Sequence, residues 1–153
     1  MVMMRFTVSK LIKSRSDGGA AAIVTDQNGN VVCVAYETAY GYVFNDASNK
    51  ASVGALSFQG GRATIAIPES ASIEIKRKLF GRVKFPKKSI PALKKKGSMR
   101  RFKVSLFENG HLAARVQKNA SDAYFLDVWK GTNALRAILI AVAMNDFFLR
   151  KKS

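Results

Sequence analysis

From Ala20 to about Phe85 the chain repeats one device: a short β-branched run, a turn pair, then another such run. "AAAIVTD" and "NVVCVAYE" flank Gln27-Asn28-Gly29. Asn-Gly between apolar runs predicts a tight hairpin, because both residues accept positive φ. "YGYVFND" and "KASVGALSF" flank the polar "ASN", and "VGALSFQ" and "RATIAIP" flank Gly60-Gly61, a second two-residue turn. In "ASIEIKRKLF" the residues Ile73 and Ile75 share one face, while Ser72, Glu74 and Lys76 share the other. "RVKF" follows Gly81, and "RFKVSLF-ENG-HLAARVQK" folds back about Asn109-Gly110. Phe6 and Val8 alternate in the same way near the N-terminus. The pattern predicts a mainly antiparallel β chain of roughly nine to twelve short strands.

The period changes once. Asp127, Gly131, Thr132 and Asn133 are turn-forming or capping types, and Thr132 or Asn133 can accept from the free N–H groups of a first helical turn. From Ala134 to Leu149 the residues are helix formers, and Leu135, Ile138, Leu139, Val142 and Met144 cover more than one side. A helix apolar all round is buried either in protein or in lipid. Its uninterrupted run, Ala137 to Met144, is eight residues, against roughly 20 needed to span a bilayer. Arg136, Asn145 and Asp146 interrupt any longer window, and each charge at mid-bilayer costs about 2.5–3.5 kcal/mol. Enclosure by the chain's own strands is therefore expected: a closed β-barrel whose lumen the helix fills. Asp146, near the unfavourable end of the helix dipole, is expected to pair with an arginine or cap a neighbouring backbone. Trp129 is expected to plug the barrel end.

The segment "YFLDVWKGTNALRAILIAVAMNDFFLRK" (124–151) resembles the last segment of phospholipid scramblases and LURP-one-related proteins. The matching pieces are Leu126-Asp127-Val128 and Asn145-Asp146-Phe147-Phe148. Upstream, "IEIKRKLFGRVKF" (73–85) is similar to the basic strand pair of LURP-one-related proteins, and residues 101–116 look like the hairpin that follows it. Both families belong to the tubby C-terminal-like superfamily. The resemblance implies one domain over 1–153, folded as an antiparallel barrel of about twelve strands around a central C-terminal helix. Scramblases also carry a proline-rich N-terminal segment and a palmitoylated cysteine cluster, and this chain has neither. Near the last helix only Asp122 and Asp127 remain of the acidic calcium segment, whereas calcium takes about six to eight oxygens. Scrambling and calcium binding are not carried over.

Length and composition fit this picture: 153 residues, 48% apolar and 24% charged, suit one globular domain. The single cysteine, Cys33, excludes an internal disulfide framework and lies in an apolar run, as a buried small hydrophobe. The first sixteen residues lack a signal peptide's h-region and cleavage site, so a cytoplasmic protein is expected, with a monomer favoured.

Charge adds what the pattern cannot. Lysine and arginine number 26 against 10 acids, a net +16, which favours polyanionic partners or serves solubility. Thirteen of those cations, and no acid, lie within residues 76–103. They are Lys76, Arg77, Lys78, Arg82, Lys84, Lys87, Lys88, Lys94, Lys95, Lys96, Arg100, Arg101 and Lys103. All but the last are taken as candidate contacts to anionic phosphate. "PKKSIPALKKKGSMRR" reads as a surface loop with room for a short turn of helix, and Lys76, Lys78 and Lys84 as strand residues facing solvent. In tubby domains basic residues on neighbouring strands hold phosphoinositide headgroups, and the resemblance makes Lys76, Lys78 and Lys84 their counterparts. Each Lys or Arg near an anionic leaflet contributes about 1 kcal/mol, so several hold a soluble domain at a membrane surface. Nucleic-acid phosphate is the alternative ligand, as is an acidic protein partner. Base stacking would need exposed rings, and Phe80, Phe85 and Phe102 occupy positions expected to face the core.

No catalytic set is recognisable. His111, the one histidine, follows an Asn-Gly turn, the ten acids are scattered, and neither a phosphate-cradling loop nor metal-ligand spacing appears. The expectation is a non-enzymatic binding module, without cofactor or metal, for phospholipid or phosphoinositide headgroups.

Overall fold

In the computed structural model the described residues are 3–10, 20–48, 50–68, 70–78, 82–86, 91–98, 101–120 and 123–149. Seven strands and a two-residue eighth succeed one another from the N-terminus: β1 (Met3–Lys10), β2 (Ala20–Asp26), β3 (Val31–Glu37), β4 (Gly41–Asp46), β5 (Ser52–Gln59), β6 (Arg62–Ala66), β7 (Ile73–Arg77) and β8 (Val83–Lys84). Then come β9 (Leu93–Ser98), β10 (Lys103–Glu108), β11 (His111–Ala120), β12 (Ala123–Trp129) and the helix α1 (Ala134–Leu149). The turns follow their residues. Gly60 with Gly61, and Asn109 with Gly110, take positive φ, the conformation that a primed two-residue turn requires. At the first hairpin Gly29 alone does, and Asp26 closes on Asn30 around a three-residue turn.

All twelve strands pair antiparallel in one sheet, ordered β8-β7-β6-β5-β4-β3-β2-β1-β12-β11-β10-β9. β1 joins β12 from Met3 opposite Trp129 to Ser9 opposite Ala123, so the first strand pairs with the last. Among the described residues no hydrogen bonds join β8 to β9, which are the sheet's two edges. The closure expected of a barrel is thus not made by backbone pairing between these strands.

The helix lies inside the curl of this sheet. Eleven consecutive residues, Ala137 to Phe147, are buried, and α1 touches β5 and β6 on one side and β11 and β12 on the other. Alternate strand residues such as Val8, Val24, Phe44, Leu56, Ile75 and Leu126 pack against it. At about 25 cal/mol per Å² of apolar surface, burying the helix on every side is the main stabilising term. The Asn133 Oδ1 accepts from the Arg136 N–H at 3.0 Å and caps the first turn, as a residue of its type should. Among the described residues no helix is long and apolar enough to cross a membrane.

Two buried carboxylates find partners that sequence could not name. Asp146 accepts from the Tyr42 hydroxyl at 2.6 Å. Asp127 accepts from Arg5 through two hydrogen bonds, at 2.7 and 3.1 Å, with the Arg5 guanidinium 4.4 Å from the centre of the Phe125 ring. Trp129 does not plug the end of the sheet: it follows Phe125 and Asp127 on the outer face, 5.5 Å from the Arg115 guanidinium. The residue's parity in β12 decides this, since Tyr124, Leu126 and Val128 take the inner positions. Cys33 is buried, and burial pushes its thiol up to about 11, consistent with an inert core residue.

Candidate anion-binding face

The middle of the basic segment is a strand rather than the expected loop. Residues 93–98 form β9, paired along its length with β10. Lysine has little β preference, but partner strand and turn override propensity here. Gly97 has φ +116, and a Cβ on it would strike the Lys103 carbonyl oxygen, so only glycine lets the strand run this close to β10. A strand splits three successive lysines between two faces. Lys94 and Lys96 point outward, where the Lys96 ammonium lies 5.5 Å from the centre of the Phe107 ring. Lys95 lies opposite Leu106, on the inner side of the edge. Burial first, and the Arg82 guanidinium second, lower its ammonium pKa. An inward-pointing charge on an edge strand discourages pairing with another chain.

β7 and β8 hold the most ordered part of the cluster. Arg62 stands opposite Lys76, and Lys76 opposite Lys84. Three cations thus lie side by side across β6, β7 and β8 on the outer, exposed face. Glu74 lies 3.7 Å from Arg62 and neutralises part of one end. Beside Lys76 and Lys84 is a cavity of about 300 Å³, bounded also by Glu74, Phe85 and Pro86. Like charges directly opposite each other destabilise a strand pair, and an anion seated between them would remove that repulsion.

The remaining candidates are placed as follows. Lys78 and Arg82 are exposed at the β7–β8 turn, where the Lys78 N–H donates to the Arg82 carbonyl at 2.7 Å. Arg77 shares the inner parity of Ile73 and Ile75 and is half-buried, so it does not join the outer row. Arg101 is exposed in the β9–β10 turn. Lys87, Lys88, Arg100, Phe80 and Asp122 lie outside the described residues. Phe85 and Phe102 are buried, as their positions predicted. Arg62 was missed, because its membership depends on the β6–β7 register, which no local pattern encodes. Among the described residues no group of three or more potential metal ligands is present. No family model matches the chain, and no curated protein matches it.

Proposed function

We propose that the protein is a non-enzymatic binding module for anionic ligands, namely phospholipid or phosphoinositide headgroups at a membrane surface. The observation that carries this reading is the row Arg62–Lys76–Lys84 beside an open cavity of about 300 Å³. A phosphate there would meet the Lys76 and Lys84 ammonium groups together, with the Glu74 carboxylate on the same wall, and charge-assisted contacts of this kind are the strong ones. The inward turn of Phe85 and Phe102 favours phosphate contacts over base stacking, which needs exposed rings. The same reading takes the curled sheet and its enclosed helix as a tubby-like barrel, of the scramblase and LURP-one-related type. Such a domain works in the cytoplasm, peripheral to the membrane.

Vesicle pelleting tests this. Vesicles with phosphatidylserine or a phosphoinositide should retain the protein, and Lys76→Glu with Lys84→Glu should release it. Equal retention on neutral vesicles would refute the proposal. A soluble inositol phosphate that displaces the protein marks headgroup chemistry as sufficient. Retention by an oligonucleotide in place of vesicles would assign the row to nucleic acid.

A further inference from the structure

The alternation of the sheet gives the molecule two unlike ends. Odd-numbered strands run toward the end where α1 terminates and even-numbered strands return. The contacts of Tyr42 with Asp146 and of Phe58 with Phe147 tie the last helical turns to that end. The connections there are those after β3, β5, β7, β9 and β11. They carry Lys78, Arg82 and Arg101, with Arg62 at the start of β6 and Lys118 near the end of β11, all exposed. Lys10, half-buried at the end of β1, is close enough to Asp146 and Lys118 to feel both. Among the described residues Glu37 is the exposed acid at this end, and Asp146 is buried beneath it.

The opposite end, where α1 begins, has the other character. Its charge is close to balanced: Asp26, Asp46 and Glu108 close three of its turns, and against them stand the exposed Lys50, Lys94 and Lys130 and Arg136, which is held in an ion pair with Glu108 at 2.9 Å. The charge asymmetry therefore runs along the helix axis as well as across the sheet.

One aromatic stands out at the basic end. Tyr40, in the β3–β4 turn, is 72% exposed. The turn that presents it is firmly built: the Thr38 N–H donates to the Gly41 carbonyl at 2.9 Å, and the Phe58 N–H donates to the Tyr40 carbonyl. A Cβ at Gly41 would strike the Leu56 carbonyl oxygen, so the turn lies hard against β5. Tyrosine is enriched at the headgroup level of bilayers, where its ring is apolar and its hydroxyl wet. An exposed tyrosine at the end that carries these cations has the chemistry of an interfacial anchor.

We infer that the end where α1 terminates is a membrane-docking face, which seats on an anionic bilayer with the helix axis along the membrane normal and Tyr40 in the headgroup layer. This rests on the anionic-lipid reading above, and adds to it an orientation and an anchor that the Lys76–Lys84 row does not require.

Tryptophan fluorescence tests it, because the protein's one tryptophan, Trp129, lies at the far end. With phosphatidylserine vesicles bearing brominated acyl chains, wild-type emission should stay unchanged. Tyr40→Trp should add emission that shifts to the blue and loses most of its intensity on binding. Lys118→Glu should lower the vesicle partition coefficient about tenfold, and Lys130→Glu, at the other end, should leave it unaltered. Far-UV circular dichroism checks that each variant is folded. Vesicle binding that needs Lys76 and Lys84 but leaves Tyr40→Trp unquenched overturns the orientation and keeps the proposed function. Quenching of Trp129 in its place overturns it by reversing the ends. No binding to anionic vesicles, or binding to an oligonucleotide alone, overturns both.

Discussion

The sheet has two places where strands distant in the order could meet, and it treats them oppositely. At the β1–β12 junction seven residue pairs align, and the charges facing each other are complementary, Arg5 against Asp127. At the β8–β9 gap one strand is two residues long, and the charges facing each other are alike, with Arg82 beside β8 close enough to Lys95 of β9 to lower its pKa. The first junction joins segments more than 110 residues apart in sequence, and the second separates segments fewer than ten apart. Proximity along the chain therefore does not decide which edges pair. Edge length and charge do, since a strand pair needs enough backbone partners to outweigh repulsion between its side chains.

The largest test of this contrast removes the tie beneath the open gap. Arg136 and Glu108 are 16% and 11% exposed, and they link the start of the helix to β10. Glu108→Ala leaves a nearly buried guanidinium at the positive end of the helix dipole, which should cost about 3 kcal/mol in urea unfolding. Adding Arg136→Met should recover most of the loss, because the uncompensated charge goes with it. Next in size is Gly97→Ala, where strain and the clash with Lys103 should cost about 2 kcal/mol. Hydrogen exchange should show protection lost over β9 and kept at β1–β12.

At the paired junction, Arg5→Ala should cost about 1 kcal/mol, since Arg5 is half-exposed and Asp127 keeps solvent access once uncovered. A cost as large as that of Glu108→Ala would remove the distinction between the two places. The smallest effect is at Lys95. Its folded pKa is depressed, so the stability linked to this group is present above the unfolded lysine value of about 10.4 and is lost as pH falls through the folded value. Lys95→Met should therefore unfold at a slightly higher urea concentration than wild type near neutral pH. The gain over wild type should close as pH rises toward about 10. Lower solubility of this variant would show that the inward lysine guards the edge.

Legibility in the sequence divides along the range of the interaction. The hairpins at Asn28-Gly29, Gly60-Gly61 and Asn109-Gly110 and the helix from Ala134 were readable, because turn chemistry and apolar period are local properties. The all-round apolar character of α1 correctly implied that other parts of the chain enclose it. β9 was not readable. Three lysines and a glycine have a loop's composition, and only pairing with β10 makes them a strand. The outward placement of Trp129 was missed for a related reason, a parity set by register with β1 and β11.

The candidate site shows the same division. An uncompensated run of cations over residues 76–103 was plain from the letters, and so was its attraction to phosphate. Its separation into an outer row, an inward edge lysine and a basic end was not, and neither was the inclusion of Arg62. Thus the chain's own letters determined the elements, the enclosed helix and the sign of the charge, since these depend on neighbours a few residues away. Tertiary structure alone decided which cations share a face, which carboxylates are covered and which strands remain edges. Those depend on register and strand order, which residues far apart in sequence settle together.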